Sequence, residues 1–239
     1  MTTSPFGRVI TAMVTPMTPD GAVDTKGVAA VVEHLVATGH DGVVVNGTTG
    51  ESPTLSSAES IAMVEAVKEA AGDRLAVTAG VGSNNTAHAV ETLVALADHE
   101  RIVAVKDAKG DLWAASQVMA ATDLLWYSGA DEHNLAHLAQ GAYGVVSVVG
   151  HVAGREYRAM IEAVDAGDLA TAREIHHRLI PVTNALMSTS QGAIMAKAAL
   201  VELGVIEHAA VRLPYVEGPA EHLEVLRAGL TASRIGATA

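Results

Sequence analysis

Short runs of β-branched residues alternate with longer helical stretches along the first two thirds of the chain. This alternation is typical of a parallel sheet built from βα units, and near-continuous apolar runs suit strands that are covered on both faces. The pattern predicts strands at Val9–Val14, Gly42–Asn46, Leu75–Ala79, Ile102–Lys106, Leu124–Tyr127 and Val145–Val148. It predicts helices at about 25–38, 56–71, 86–99, 112–121, 132–139 and 151–165.

From Asp168 onward the pattern is helical only, with segments near 168–188, 191–203 and 219–231. We therefore predict one domain, with a truncated β/α barrel over 1–167 and a C-terminal helical extension over 168–239. Six βα units are two fewer than a closed (β/α)8 barrel requires. Periodicity alone leaves a doubly wound open sheet as the alternative.

Composition narrows the class of protein. The 239 residues include no cysteine, which excludes disulfides, thiolate nucleophiles and cysteine-bound metals. The formal net charge of −12 argues against nucleic acid as a partner. The chain has neither a membrane-length apolar run nor the basic and apolar start of a secretory signal. We expect a soluble cytoplasmic protein.

Lys106 ends one of the predicted strands, in the run Arg101–Asp107. A free lysine has a pKa of about 10.4 and is a poor nucleophile near neutral pH. Apolar surroundings at the mouth of a barrel would lower that pKa and make Schiff-base chemistry feasible. By itself, however, a lysine at a strand end more often just reaches solvent.

The segment Asn46–Thr54, with sequence NGTTGESPT, follows a strand and precedes a helix. Ligands of α/β proteins bind at the carboxyl ends of strands. Thr48 and Thr49 offer hydroxyl groups there, and the consecutive loop amides could hold a carboxylate. An ordinary βα turn with a capped helix explains the segment equally well.

Other polar groups give weaker signals. Asp131 and Glu132 also follow a strand, but they are better explained as helix-capping charges than as catalytic acids. His133 and His137 have the spacing of two ligands on one helical face. Asn134 stands where a zinc protease of the H-E-x-x-H type has its glutamate, so we expect no metal.

Several segments, taken in order, resemble the dihydrodipicolinate synthase family of pyruvate-dependent aldolases. They are ITAMVTPMTPDGAVD, GTTGESPTL, AVTAGVGSNNTAHAV, IVAVKDAKGDL, YSGADE and GAYGVVSVVGHVAG, followed by AKAALVELGV and VRLPYVEG. GTTGES and VKDA in this order are highly specific. The sialic-acid lyases of the same fold usually carry a variant of the threonine motif.

The resemblance implies a fold, an activity and site residues. In this family a barrel-mouth lysine forms an imine with pyruvate, and the derived enamine attacks aspartate semialdehyde, without metal or cofactor. The matching lysine is Lys106. The threonine pair that binds the pyruvate carboxylate, with one hydroxyl in a proton relay, falls on Thr48 and Thr49. The residue beside the imine falls on Val146. We also expect a homo-oligomer.

The chain departs from the family between Thr86 and Ile102, where relatives carry two further strands with their helices. The absent region includes a T-P-Y-Y segment and a Y-N-x-P-x-R segment. In the family these supply a tyrosine for a neighbouring active site, a relay tyrosine and an arginine that binds the semialdehyde carboxylate.

Two questions follow from this departure. We expect the strands Leu75–Ala79 and Ile102–Lys106 to pair directly, because sequential parallel strands usually lie side by side. The alternative is that they stay apart and leave a slot. For function, the alternatives to an active synthase are an impaired relative that only binds pyruvate and an aldolase that acts on a sugar acid.

Overall fold

The computed structural model describes residues 5–79 and 103–236. Its strands are β1 Val9–Ala12, β2 Gly42–Val45, β3 Ala76–Ala79, β4 Ala104–Asp107, β5 Leu125–Ser128 and β6 Gly144–Ser147. They pair in parallel in the order β3-β2-β1-β6-β5-β4. The predicted strands are confirmed within one or two residues at each end. Ile102, the predicted start of the fourth strand, lies outside the described residues.

The described helices are α1 Thr25–Ala37, α2 Ser57–Ala71, α3 Leu112–Ala121, α4 Asn134–Ala139, α5 Gly150–Asp165, α6 Leu169–Met187, α7 Gly192–Glu202 and α8 Ala220–Ala232. Local capping fixes their starts. Asp24 accepts from the amide of Lys26 at 3.1 Å, and Ser56 forms a capping box with Glu59. The predicted helices agree with these bounds, except that the one at 86–99 lies outside the described residues.

Strand alternation gives the sheet two different faces. One face carries Ile10, Ala12, Tyr127 and Val146, which form an apolar cluster within the sheet itself. The other face packs against helices. There, Val9 and Val145 join the core formed with α5, α6, α7 and α8, and β2 joins the core formed with α1 and α2. The predicted packing of the C-terminal helices outside the sheet is therefore confirmed.

The architecture is an α/β half-barrel of six parallel strands. The expectation that β3 pairs with β4 is wrong, because these two strands stand at opposite ends of the described strand order. Strand number, tilt and stagger are linked in a barrel. Six strands that keep the curvature of a larger barrel span only part of the ring, so β3 and β4 become its edges. The prediction of a barrel-like α/β fold is confirmed, but the described strands do not form a closed ring.

No helix in residues 5–79 and 103–236 is long and apolar enough to cross a membrane.

Three histidines lie buried or half-buried between α1 and the start of α5. The ring of His151 donates through Nδ1 to the carbonyl of Val148 at 2.7 Å and accepts at Nε2 from the amide of Val14 at 3.1 Å. The ring of His34 approaches the carbonyl of His151, with its Nε2 at 2.6 Å from that oxygen. These contacts suit a neutral His151 ring, which has one donor and one acceptor nitrogen.

His40 completes this group, and its Nδ1 lies 3.1 Å from the carbonyl oxygen of Leu35. Its ring occupies space that exists only because residue 154 is glycine, since a Cβ there would lie 2.0 Å from His40 Cε1. Burial lowers the pKa of His40 to about 3 and that of His151 to about 4. Both rings are therefore neutral in the folded protein at pH 7.

We expect the free energy of unfolding to fall as the pH decreases from about 6.5 toward 4. The unfolded chain takes up protons at histidine first, because its pKa values of about 6.5 lie above those of the folded state. Replacing His40 by Asn should remove about 2 kcal/mol of the difference in stability between pH 7.5 and pH 5. Urea unfolding at the two pH values measures this difference. His208→Asn is the matched control at an exposed histidine, and an equal pH dependence in wild type and His40→Asn would contradict the prediction.

Candidate active site

Lys106 lies near the carboxyl end of β4, one of the two edge strands of the described sheet. Alternation along β4 places it on the same face as Ala104, which packs against the apolar cluster of Ile10, Tyr127 and Val146. Val105 lies on the other face of the sheet, which the helices cover. There it packs against a second apolar cluster. The sequence prediction that Lys106 reaches the inner mouth of the barrel therefore agrees with its position.

The surroundings of Lys106 combine an apolar wall with one nearby carboxylate. Partial burial of the side chain lowers the pKa of Lys106 below its ordinary value, and the charge of Asp131 opposes this effect. Much of the side chain is still exposed at the mouth, so its loss of hydration is only partial. A lower pKa increases the fraction of neutral amine, which is the nucleophilic form.

Gly129, in the loop after β5, lies directly against the lysine. A Cβ at this position would lie 2.6 Å from Lys106 Cε and 2.9 Å from the carbonyl oxygen of Asp107. Because Gly129 has no side chain, the methylene groups of Lys106 have room to lie against it. A glycine with this role is not recognisable from the sequence without knowing which residue faces it.

The Thr48–Thr49 loop follows β2 and is shaped by two residues with left-handed backbone, Asn46 at φ 58° and Glu51 at φ 57°. The amide of Glu51 donates to the carbonyl of Thr48 at 3.1 Å, and Thr15 Oγ1 donates to the carbonyl of Gly50 at 2.7 Å. Thr48 is exposed, while Thr49 is 8% exposed. The loop is thus tightly held, with Thr48 at its surface.

The anchor of this loop is a buried ion pair between Glu51 and Lys197 of α7. Lys197 also donates to the carbonyl of Ala210 at 2.7 Å, and the second oxygen of Glu51 accepts from the amide of Arg212 at 3.0 Å. Our sequence analysis did not identify this pair. The signal was present, because a lysine within the apolar run AIMAKAAL of a helix requires a buried partner.

Val146 lies on β6, opposite Ile10 of β1, and is 5% exposed. Thr48 and Thr49 follow β2, Lys106 belongs to β4, and all three strands run in the same direction. The structure therefore brings these residues to one edge of the sheet, at the carboxyl ends of its strands. Strands β1, β6 and β5 lie between the threonine loop and Lys106 in the strand order.

His133, directly before α4, and His137 of α4 are not joined by a third possible metal ligand in the described residues. His137 Nε2 lies 3.7 Å from Asp107 Oδ2, and the rings of His133 and His137 are 6.4 Å apart. In residues 5–79 and 103–236, no group of three or more acidic or histidine side chains is placed to hold a metal ion.

A half-barrel of parallel strands with a lysine on the inner face at the carboxyl edge has the geometry of a Schiff-base aldolase of the β/α class. The sequence profile of the Dihydrodipicolinate synthetase family matches this chain in two stretches, residues 5–92 and 89–233. The chain belongs to this family.

Individual relatives agree with this assignment. The chain is 46% identical to the 4-hydroxy-tetrahydrodipicolinate synthase of Kineococcus radiotolerans over 285 aligned residues, which cover 95% of this chain and 92% of the relative. It is 42% identical to 4-hydroxy-tetrahydrodipicolinate synthase 2 of Streptomyces coelicolor over 97% of both chains. The crystal structure of the Bacillus anthracis dihydrodipicolinate synthase DapA-2 superposes with a TM-score of 0.89 at 31% identity, over 95% of this chain and 98% of that one.

The same comparisons support a missing internal segment. An alignment of 285 residues is longer than this chain of 239, so the relative has residues with no counterpart here. The two stretches of the family match meet at residues 89–92. The break thus falls where the sequence analysis expects the departure from the family.

The Glu51–Lys197 pair leads to a prediction about stability. Lys197→Met should lower the free energy of unfolding by about 3–5 kcal/mol, because it leaves a buried carboxylate without its cation. The double variant Glu51→Gln/Lys197→Met should recover part of this loss. Urea unfolding measures both effects, with Lys68→Met at an exposed site of α2 as the control. Wild-type stability of Lys197→Met would show that the pair does not anchor the loop.

Proposed function

We propose that this chain is a lyase that condenses pyruvate with aspartate semialdehyde to form 4-hydroxy-tetrahydrodipicolinate, in the biosynthesis of diaminopimelate and lysine. The observation that carries the proposal is the position of Lys106, on the inner face of the half-barrel at the carboxyl edge of the sheet. Relatives that carry the name of this synthase are 36–46% identical to this chain, which supports the same assignment.

The proposed reaction begins at the neutral amine of Lys106, whose pKa is lowered by partial burial. The amine attacks the ketone carbon of pyruvate to give a carbinolamine, which takes up one proton and loses water to give a protonated imine. Loss of a proton from the pyruvate methyl group gives an enamine, whose terminal carbon attacks the aldehyde of aspartate semialdehyde. The lysine supplies the electrophilic imine and the nucleophilic enamine in turn, so these steps need neither a metal nor a cofactor.

The other site residues have supporting roles in this proposal. The amides and hydroxyls of Thr48 and Thr49 bind the carboxylate of pyruvate, and the hydroxyl of Thr48 takes part in proton transfer. Val146 provides an apolar wall beside the imine. The buried Glu51–Lys197 pair supports these roles, because it limits the positions that the threonine loop can adopt.

We further propose that the protein works in the cytoplasm as a homo-oligomer. Strands β3 and β4 are the edges of the described sheet. An edge strand presents unpaired backbone groups that association with another chain can cover. This feature favours a protein that is assembled from several copies.

The segment that this chain lacks favours a second possibility for its activity. In the family, the corresponding region holds the relay tyrosine and the arginine for the semialdehyde carboxylate. The residues proposed for pyruvate binding are all present here. We therefore expect imine formation to be retained and the complete condensation to be impaired.

The first test is reductive trapping of the imine. Incubation with pyruvate and borohydride should add one pyruvate-derived mass to the peptide that contains Lys106, because borohydride reduces the imine to a stable amine. Peptide mass spectrometry measures the site of addition. The five lysines of the chain are Lys26, Lys68, Lys106, Lys109 and Lys197, which makes the assignment direct.

Lys109→Ala is the matched control for this test, because Lys109 is exposed and lies only three residues from Lys106. Trapping should persist in Lys109→Ala and disappear in Lys106→Ala. Addition at Lys109 or Lys197, or no addition in a protein whose circular dichroism is that of a folded α/β chain, would overturn the assignment of Lys106.

The second test is turnover. Condensation with aspartate semialdehyde should be slower than in the full-length Kineococcus relative by about 10²–10⁴-fold or more, because loss of one proton-transfer group alone has an effect of this size. A coupled assay on both purified proteins measures the ratio. Equal rates would mean that other residues replace the missing tyrosine and arginine.

A further inference from the structure

Asp131, the first residue of the short 3₁₀ helix Asp131–His133 that follows β5, is a buried carboxylate that accepts five hydrogen bonds. It is 4% exposed. Its oxygens accept hydrogen bonds from Asn134 Nδ2, Ser147 Oγ, the amides of Val148 and Val149, and Tyr157 Oη. Two of these donors are backbone N–H groups, which cannot accept, so the contacts match an ionised, acceptor-only carboxylate.

These bonds tie the β5 loop to the end of β6. Ser147 is the last residue of β6, and Val148 and Val149 lead directly into α5. Burial and the charge of Asp131 raise the pKa of Tyr157 well above its ordinary value, so the phenol remains a neutral donor. The position of Asp131 is therefore determined by a second strand and two helices, not by its own loop alone.

The same loop forms the surface on which Lys106 lies. Gly129, two residues before Asp131, contacts the lysine methylenes closely enough that a Cβ would overlap Cε. The backbone joins this contact to the hydrogen-bonded carboxylate through a single residue, Ala130. A shift of Asp131 would consequently move the floor of the lysine site.

Asp131 is also the charged group that acts on Lys106 in the described part of the chain. On the neighbouring strand, Tyr127 pairs in register with Lys106. Asp107 and His137 face each other on the helix-covered side of β4, and Lys109 is exposed beyond the strand end. Asp131 and Lys106 do not form a direct salt bridge, so the carboxylate acts through its field.

We propose that Asp131 is a positioning residue for Lys106. It fixes the Gly129–Asp131 segment under the lysine side chain, and its negative charge acts through space on the ammonium and the iminium. The inference rests on the proposed function only for the identity of Lys106 as the nucleophile. The contacts of Asp131 and its action on the lysine are independent of which carbonyl compound reacts there.

The test is the titration of Lys106 itself, measured by competitive acetylation with acetic anhydride across pH and peptide mass spectrometry. Asp131→Asn should move the midpoint of Lys106 to lower pH by about 0.5–1 unit, because loss of a nearby opposite charge favours the neutral amine. Exposed Lys68 is the internal control and should not move.

Tyr157→Phe should shift the titration midpoint of Lys106 in the opposite direction. It removes one donor but keeps the carboxylate, so the less neutralised charge should move the Lys106 midpoint to higher pH, by roughly 0.3 unit. A purely structural role would lower the melting temperature of both variants and leave both midpoints unchanged. An unchanged midpoint in folded Asp131→Asn overturns the proposal. If Asp131→Asn does not fold, an unchanged midpoint in Tyr157→Phe overturns it.

The acetylation result separates this proposal from the proposed function. Acetylation reports on the amine without pyruvate. A shifted midpoint in a protein that forms no imine would support the role of Asp131 and refute the assigned reaction. An imine at Lys106 with unshifted midpoints would refute the role of Asp131 and support the assigned reaction.

Discussion

A parallel strand must bury both of its faces, and this requirement governs the whole structure. The helix-covered face is satisfied by α1, α2 and the helices from α5 to α8, which form two large apolar cores. In residues 5–79 and 103–236 no helix packs on the inner face, which depends on its own side chains, with Ile10, Ala12, Tyr127 and Val146 at its centre. Because the six described strands do not close, β4 is an edge of the sheet, and none of its four residues is fully buried.

Local chemistry made much of this fold predictable from the sequence. Strands and helices were recognised from apolar runs and caps such as Asp24 and Ser56, whose effects extend over only a few residues. The order of the strands was different. The rule that sequential parallel strands lie side by side suggested a β3–β4 pair, but barrel curvature is a property of the complete ring, and no local pattern encodes it. Tertiary geometry therefore overrode a rule that is correct for an uninterrupted chain.

The candidate site shows the same division. Lys106, Thr48, Thr49 and Val146 could be named because they match family motifs, and their strands bring them to one edge of the sheet. Glu51 and Lys197 are 146 residues apart and could be paired only in three dimensions. The sequence predicts that Asp131 is a helix-capping charge. Its carboxylate does accept from two amides, those of Val148 and Val149 directly before α5, but this helix could be identified only in three dimensions.

The position of Lys106 on an edge strand divides the site into two halves. On one side lie β5 and β6 with Gly129, Asp131 and Val146, and every contact described for the lysine comes from this side. On the other side β4 has no described strand beside it, and this is the side on which the chain is shorter than its relatives. Imine formation needs a lysine with a suitable pKa and a bound pyruvate, both of which the proposed function assigns to residues that are present. Carbon–carbon bond formation also needs a second substrate held within reach of the enamine. The geometry of the half-barrel therefore separates the two stages of the proposed reaction, with the first determined by residues that are present and the second by a region that the chain lacks.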